Sequence, residues 1–527
     1  MKIIKKLTCL ILSVMLILAL TLPALAEAPP PPPSHDVSMY PIIQIQGSTS
    51  ALFFNENTPE QKIAFENSTE KFEESASPVL DDIFGGFVRL DWNRVADGFI
   101  GFIRNWVGNL EMNLDGTPVH PGITRTGGHL AYWHNGQFKS PPLRNGELVD
   151  NHAGFWFDWR KDPYDLADEL NDYIKLIKKT TNQPKVNLIA VSGSGAMTLA
   201  YINRYGCGDL ASVMLAQSLH AGSDMMGQLA TKKFKLNSAA LEGTRVLSLF
   251  GLNDFQEQID PYISLAYKTG LARVLEAFLS FASKRIVDRL YDEAITPLMF
   301  QLPEFWGFVP DKYYEEAKEL LGDDTPEWKA FFDKMDLYHY EVKVRADEII
   351  QQAAKEIKVL IACGYNLPAF PLGESDDVLN TDAFVEISLA SFGAIAAPYG
   401  KTLSDEEIVN DCGHEGHNHL SPDRQIDAST CALPEQTWFF RDLMHQMETS
   451  FNGLYEWFLT AENPTVFSNQ MYPQFMKTVS QNNYAPLPEP PPKGFPWNYV
   501  INAIFAGALV CVTVLYINLK RKTRASV

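Results

Sequence analysis

The apolar run Val186-Asn187-Leu188-Ile189-Ala190 leads directly into Val191-Ser192-Gly193-Ser194-Gly195-Ala196 and then into Met197-Thr198-Leu199-Ala200-Tyr201-Ile202. This reads as a buried strand, a turn made of the smallest residues, and a helix. The alternation recurs around it. Residues 41–47 read as a buried strand ending in a glycine turn, and 165–179 as an amphipathic helix with Leu166, Leu170, Tyr173, Ile174 and Ile177 on one face. Val213-Met214-Leu215-Ala216 is the next apolar run. Strands alternating with helices imply a mostly parallel sheet flanked by helices, an α/β fold.

Beyond residue 222 the pattern changes. Nearly everything over 223–354 reads as helix, including 271–286, with Leu275, Phe278, Leu279, Ala282 and Ile286 on one side, and 313–321. The next strand is Lys358-Val359-Leu360-Ile361-Ala362-Cys363-Gly364. A helical block inserted between two sheet strands is expected to form a cap over the sheet's edge. Phe300, Phe305, Trp306 and Phe308 are either an apolar substrate surface of that cap or its own core.

The chain ends carry their own signals. Lysines at 2, 5 and 6, an apolar stretch and Ala24-Leu25-Ala26 predict a signal peptide over 1–26. A proline-rich spacer fills 27–38 and a second linker 484–496. Residues 497–519 are apolar and long enough to cross a bilayer, and the basic tail at 520–527 is expected to stay cytoplasmic, leaving the body outside. The expected organisation is therefore a core in two parts, 39–222 and 355–483, interrupted by the cap at 223–354, on a single-pass cell-membrane anchor with an extracellular ectodomain. A formal charge of -20 argues against a nucleic-acid partner. Outside the signal and span, Cys207, Cys363, Cys412 and Cys431 face an oxidising compartment. Cys412 and Cys431 are the expected disulfide, a cross-link worth on the order of 3 kcal/mol.

A hydroxyl held at a tight strand-to-helix turn is a candidate nucleophile. Taking Ser194 as that residue, with the small Ser192 and Ala196 two positions to either side, the N–H of Gly195 and Ser48 become the expected donors to an oxyanion. A base must follow. His445 lies between the apolar strand at 437–440 and a helix-like stretch at 447–459, which favours it over His339 and over His414, His417 and His419. For the carboxylate that orients the base, Asp423 is preferred because a Cys412–Cys431 clamp would hold its loop, with Asp382 the alternative and Asp427 a third candidate.

The strand and turn at 41–48, the string Phe157-Asp158-Trp159-Arg160, the serine turn, the segment 216–223 and Leu302-Pro303-Glu304-Phe305-Trp306-Gly307-Phe308-Val309-Pro310 together resemble the lecithin:cholesterol acyltransferase branch of the α/β-hydrolases. The resemblance implies an α/β-hydrolase fold and cleavage or transfer of fatty acyl groups. It carries the nucleophile to Ser194 and the base to His445, and leaves the acid open. The expectation is a surface-exposed esterase, lipase or acyltransferase with an acyl-enzyme intermediate, an ester or lipid substrate, no cofactor and no metal. The rival is a non-catalytic surface binding protein on the same fold, with a structural metal at Cys412, His414, His417 and His419 beside Asp411 and Glu415. The order His414-Glu415-Gly416-His417 lacks the one-turn histidine spacing of zinc proteases.

Overall fold

The apolar run before the serine turn forms a strand at Val186–Val191 in which every residue is buried. Such a strand has no polar face, as expected where helices cover both sides of a parallel sheet. The computed structural model describes residues 40–489 apart from 46, 49, 57, 126–131, 135–136, 140–142, 145–146, 149–151, 234, 236, 242, 246–247, 249–252, 372–377, 446–450, 452 and 481–482. The predicted signal peptide, first spacer and membrane span lie outside the described residues. Among those described, no helix is long and apolar enough to cross a membrane. The chain divides into two units, Met1–Leu487 and Pro488–Val527, and the first holds every element discussed below.

Its central sheet has eight strands: β1 (Ile42–Ile45), β2 (His152–Phe155), β3 (Val186–Val191), β4 (Leu210–Ala216), β5 (Lys358–Tyr365), β6 (Thr437–Arg441), β7 (Phe475–Ser480) and β8 (Asn483–Pro486). Their spatial order is β8-β7-β6-β5-β4-β3-β1-β2. Every neighbouring pair is parallel except β7 and β8. The register puts Val191 beside Ala216, Ala216 beside Ala362 and Ala362 beside Trp438, so four strands reach one level together. β5 and β6 then continue in register to Tyr365 and Arg441. Residues 484–486, expected as spacer, instead close the sheet edge as part of β8.

The helix before β3 spans Pro163–Thr181. Asp162 caps it, accepting from Tyr164 N at 2.8 Å, and Pro163 occupies the first turn, where its missing N–H costs nothing. Asn182 ends it in the left-handed conformation. Leu166, Leu170, Tyr173, Ile174 and Ile177 are all buried, as their spacing predicts. The helix after β3, Ser194–Tyr205, is buried over its first nine residues, Ser194 to Ile202.

Among the described residues there is no strand between β4 and β5, and the intervening segment is helical as predicted. Phe300, Trp306 and Phe308 are buried and belong to the core of that block. The sequence reading did not single out a second helical layer, Leu80–Arg89 and Trp92–Val107. It packs on Leu271–Leu290 through Phe87 against Phe278 and Trp92 against Phe281, both with ring centroids 5.8 Å apart.

Candidate functional site

Three strand ends converge where the four strands reach level. β3 ends at Val191, and Ser192 follows with φ +56, a left-handed conformation that a serine adopts only when the surrounding structure enforces it. The turn is fixed by Ser192 N donating to Ala216 O at 3.0 Å, and by Ser192 O accepting from Gly195 N at 3.1 Å and Leu219 N at 2.9 Å. β5 runs on into a short hairpin, Leu367–Pro368 paired with Asn380–Thr381, and Asp382 comes directly off its second arm. β6 ends at Arg441 and delivers His445 four residues later.

The resulting side-chain relay is short and buried. Ser192 Oγ lies 2.8 Å from His445 Nε2, and His445 Nδ1 lies 2.8 Å from Asp382 Oδ2. Asp382 is latched on its other oxygen by the N–H groups of Phe384 at 3.1 Å and Val385 at 2.8 Å. Its main-chain carbonyl accepts from His445 N at 2.8 Å, so acid and imidazole are tied twice. Gln217, just past β4, donates from Nε2 to Met444 O at 2.8 Å and braces the histidine loop from the next strand. Phe384 lies against the imidazole with ring centroids 5.2 Å apart.

This geometry corrects two expectations. Ser194 does not face the histidine: its hydroxyl donates to Val191 O at 2.8 Å and accepts from Val191 N at 2.7 Å, a closed exchange inside the turn. The physical reason is the strand end. The hydroxyl presented at the tip belongs to the first residue after Val191, and the small residues two before and two after it are Ala190 and Ser194. Asp423 is likewise committed elsewhere, to Arg441 Nη1 at 2.8 Å, Tyr365 OH at 3.1 Å and Ser421 Oγ at 2.7 Å. Asp382, the alternative, is the carboxylate that reaches His445. Asp427 accepts from the N–H groups of Val409, Asn410 and Ser429, a loop-holding role. His339 pairs with Asp311 at 2.9 Å in the helical block.

The oxyanion expectation shifts by the same two residues. Gly195 N–H is spent on Ser192 O, whereas none of the described hydrogen bonds engages Gly193 N–H. Ser48 packs against the serine turn. A Cβ on Gly193 would lie 2.1 Å from Ser48 Oγ and 2.8 Å from Phe308 Cζ, so only glycine allows these two groups to close on the serine turn. Ser48 Oγ is 2.8 Å from Glu304 Oε1, and burial drives the Glu304 carboxyl well above its ordinary range. Nearby, Trp159 Nε1 donates to Ser50 O at 2.8 Å and anchors the loop that carries Ser48. Arg160 clamps Asp158 through two bonds of 2.9 and 2.8 Å, which makes that aspartate structural.

The expected disulfide does not form: Cys412 and Cys431 are both free. Cys431 is buried, its thiol pushed up to about 12 by desolvation, while Cys412 Sγ lies 3.8 Å from the Nδ1 atoms of both His414 and His417. The clamp invoked for Asp423 is therefore absent.

No family model matches the chain, and no curated protein matches it. Among solved structures it is similar to a chain of "The crystal structure of Tle4-Tli4 complex", at 12% identity and a TM-score of 0.19 over 36% of this chain. The match covers 48% of that solved chain, about half its length. A likeness of this size says nothing about activity.

Proposed function

We propose that the chain is a serine hydrolase or acyltransferase acting on an ester, with Ser192 as nucleophile, His445 as base and Asp382 as the group that orients it. The observation that carries this reading is the relay itself, with both contacts at 2.8 Å, built on a serine held at φ +56. Serine, acid and histidine also follow one another in the order expected of α/β-hydrolases, the fold class this reading assigns.

In this mechanism Ser192 Oγ attacks the ester carbonyl carbon as its proton passes to His445 Nε2. Asp382 keeps the proton on Nδ1 and stabilises the imidazolium. The carbonyl oxygen becomes an oxyanion facing Gly193 N–H and Ser48, donors each worth roughly 3 kcal/mol of barrier. A protonated Glu304 would donate to Ser48 Oγ and turn the Ser48 proton toward that oxygen. His445 then protonates the departing alcohol, leaving an acyl-Ser192. Water or an acceptor alcohol attacks it, gives its proton to His445 and restores the serine. The chemistry needs no cofactor.

The same proposal keeps the body tethered outside the cell by residues 497–519 and keeps the lecithin:cholesterol acyltransferase branch as the expected kin. The test is labelling with a serine-directed fluorophosphonate alongside turnover of short-chain and long-chain esters. Wild type and Ser194→Ala should label and turn over, and Ser192→Ala should do neither. Folded wild type that neither labels nor cleaves any ester would end the proposal.

A further inference from the structure

The glycine-broken loop at 412–419 and Glu435 bring metal-binding side chains together from two places in the chain. Cys412, His417 and His419 offer ligand atoms all within 4.8 Å of one another, and so do His414, His417 and Glu435. Glu435 was not part of the sequence reading; it arrives from just before β6. Cys412 Sγ is 3.8 Å from His414 Nδ1 and 3.8 Å from His417 Nδ1, while Glu435 Oε1 is 3.1 Å from the first of these nitrogens and 3.0 Å from the second. Zinc bonds of about 2.3 Å to sulfur and about 2.0–2.1 Å to nitrogen give a tetrahedron with edges of about 3.3–3.6 Å, and the four distances bracket that range.

His419 supplies independent evidence of a ligand. It is buried, and its Nδ1 lies 2.8 Å from Gln474 Oε1. The orientation of that amide is fixed, because Gln474 Nε2 donates to Pro434 O at 2.7 Å and Thr437 O at 3.1 Å. Its oxygen therefore faces the imidazole, the proton must sit on Nδ1, and Nε2 keeps its lone pair. That Nε2 is buried without a hydrogen-bond partner. A histidine held by one nitrogen from outside, with the other bare, is the state metal ligation requires. Two N–H groups donating to Glu435 would account for His414 and His417, but not for the thiol beside both nitrogens or for the orphaned Nε2.

We propose that this cluster binds one zinc ion through Cys412, His417 and His419, with His414 or Glu435 completing the tetrahedron. Thiolate and imidazole ligands select zinc over calcium or magnesium. Phe467 covers His417 with ring centroids 4.1 Å apart and gives the site an apolar wall. The ion fixes the loop against the starts of β6 and β7 through His419, which is held by Gln474, itself bonded to Thr437 O. It is a structural site: His445 leaves β6 at the strand's other end.

The test uses the full-length chain, dialysed against zinc chloride and then freed of loose metal. Bound zinc and thermal stability are measured, and cobalt(II) is used to probe for a thiolate ligand by its charge-transfer absorption. Wild type should hold about one zinc per chain and melt at a lower temperature after chelation. Cys412→Ser and His419→Gln should each reduce bound zinc at least about tenfold, and the cobalt band should vanish in Cys412→Ser. His414→Ala, at an exposed position that cannot threaten folding, and Glu435→Gln identify the fourth ligand: the one that completes the tetrahedron loses affinity and the other does not. Wild type without zinc, or Cys412→Ser retaining a full equivalent, overturns the proposal.

Discussion

His445 and His417 belong to clusters associated with opposite ends of the same strand, and they are held in opposite ways. Past the end of β6, His445 is buried and has a fixed partner on each ring nitrogen, Ser192 on one and Asp382 on the other. Before its start, His417 shares a half-open loop with a thiol, two more imidazoles and a carboxylate, a set rich in lone pairs and short of protons. The first cluster is complete with the atoms of the chain. The second is complete only with a cation. A histidine cluster thus reveals its use by whether its donors and acceptors balance, and the most direct experiments alter that balance at one end and leave the other untouched.

The largest expected effect is at Ser192. Removing the hydroxyl in Ser192→Ala should cut ester turnover by on the order of 10⁴ to 10⁶, far beyond the modest stability change from losing its bond to His445. Ser194→Ala should do the reverse. It removes both bonds between the buried hydroxyl and Val191 and should cost about 0.5–1.5 kcal/mol in denaturant unfolding while turnover persists. Turnover that survives in Ser192→Ala and dies in Ser194→Ala would reverse the assignment.

The carboxylates form the next pair. Asp382→Asn preserves shape but removes the charge that holds the imidazole tautomer, and a fall in kcat of about 10⁴ is expected. Asp423→Asn should leave kcat near wild type and lower stability, because it weakens the 2.8 Å pair with Arg441 that joins the loop to β6. Equal kcat losses in the two variants would mean that the relay has a different acid.

The sequence made the architecture legible because burial on both faces writes itself as continuous apolar runs: β1, β3, β4, β5 and β6 were each readable that way, and the Pro163–Thr181 helix by its stripe. His445 was readable from its place after β6. The serine that faces His445 lies two residues before the expected one, because both Ser192 and Ser194 sit among small neighbours and only the point at which the strand stops distinguishes them. Asp382 over Asp423 depends on a two-residue hairpin after β5, which leaves no periodic trace. Cys412 was given a cysteine partner because cysteine counting cannot see that the histidines at 414 and 417 fold back on it. Glu435 and Gln474 belong to a site assembled across distant parts of the chain, which local spacing cannot encode.

A smaller loss is expected at Gly193, the glycine after Ser192. Gly193→Ala keeps an ordinary helical backbone, φ -57, but its methyl would meet Ser48 Oγ and Phe308. Displacing that wall should cost on the order of 10²- to 10³-fold in kcat, the size of a lost oxyanion donor, with a smaller change in melting temperature. Comparable kcat in Gly193→Ala and wild type would move the oxyanion donors away from Ser48.

The last effect is one of pH, on the carboxyl that anchors the acid loop. Glu386 lies just past the Asp382 turn, and both its oxygens are 3.0 Å from Asp224 N. Burial pushes it from 4.5 up to about 8, against the pull of the Asp224 N–H. Between those values the folded chain holds a proton that the unfolded chain has lost. Its contribution to stability is therefore full below pH 4.5 and declines as pH rises toward 8, by at most about 1.4 kcal/mol per unit. Lys343, pushed by burial from 10.5 down to about 7, works in a different window: the folded chain has given up a proton there that the unfolded chain keeps, and stability rises with pH. Glu386→Gln retains an oxygen for Asp224 N and cannot titrate. Chemical denaturation of wild type and Glu386→Gln from pH 5 to 8 should give a difference that changes steadily in favour of the variant as pH rises. Parallel curves would show that Glu386 is already ionised in the fold, and the acid loop would then be held by a charge rather than by a neutral hydrogen-bonded anchor.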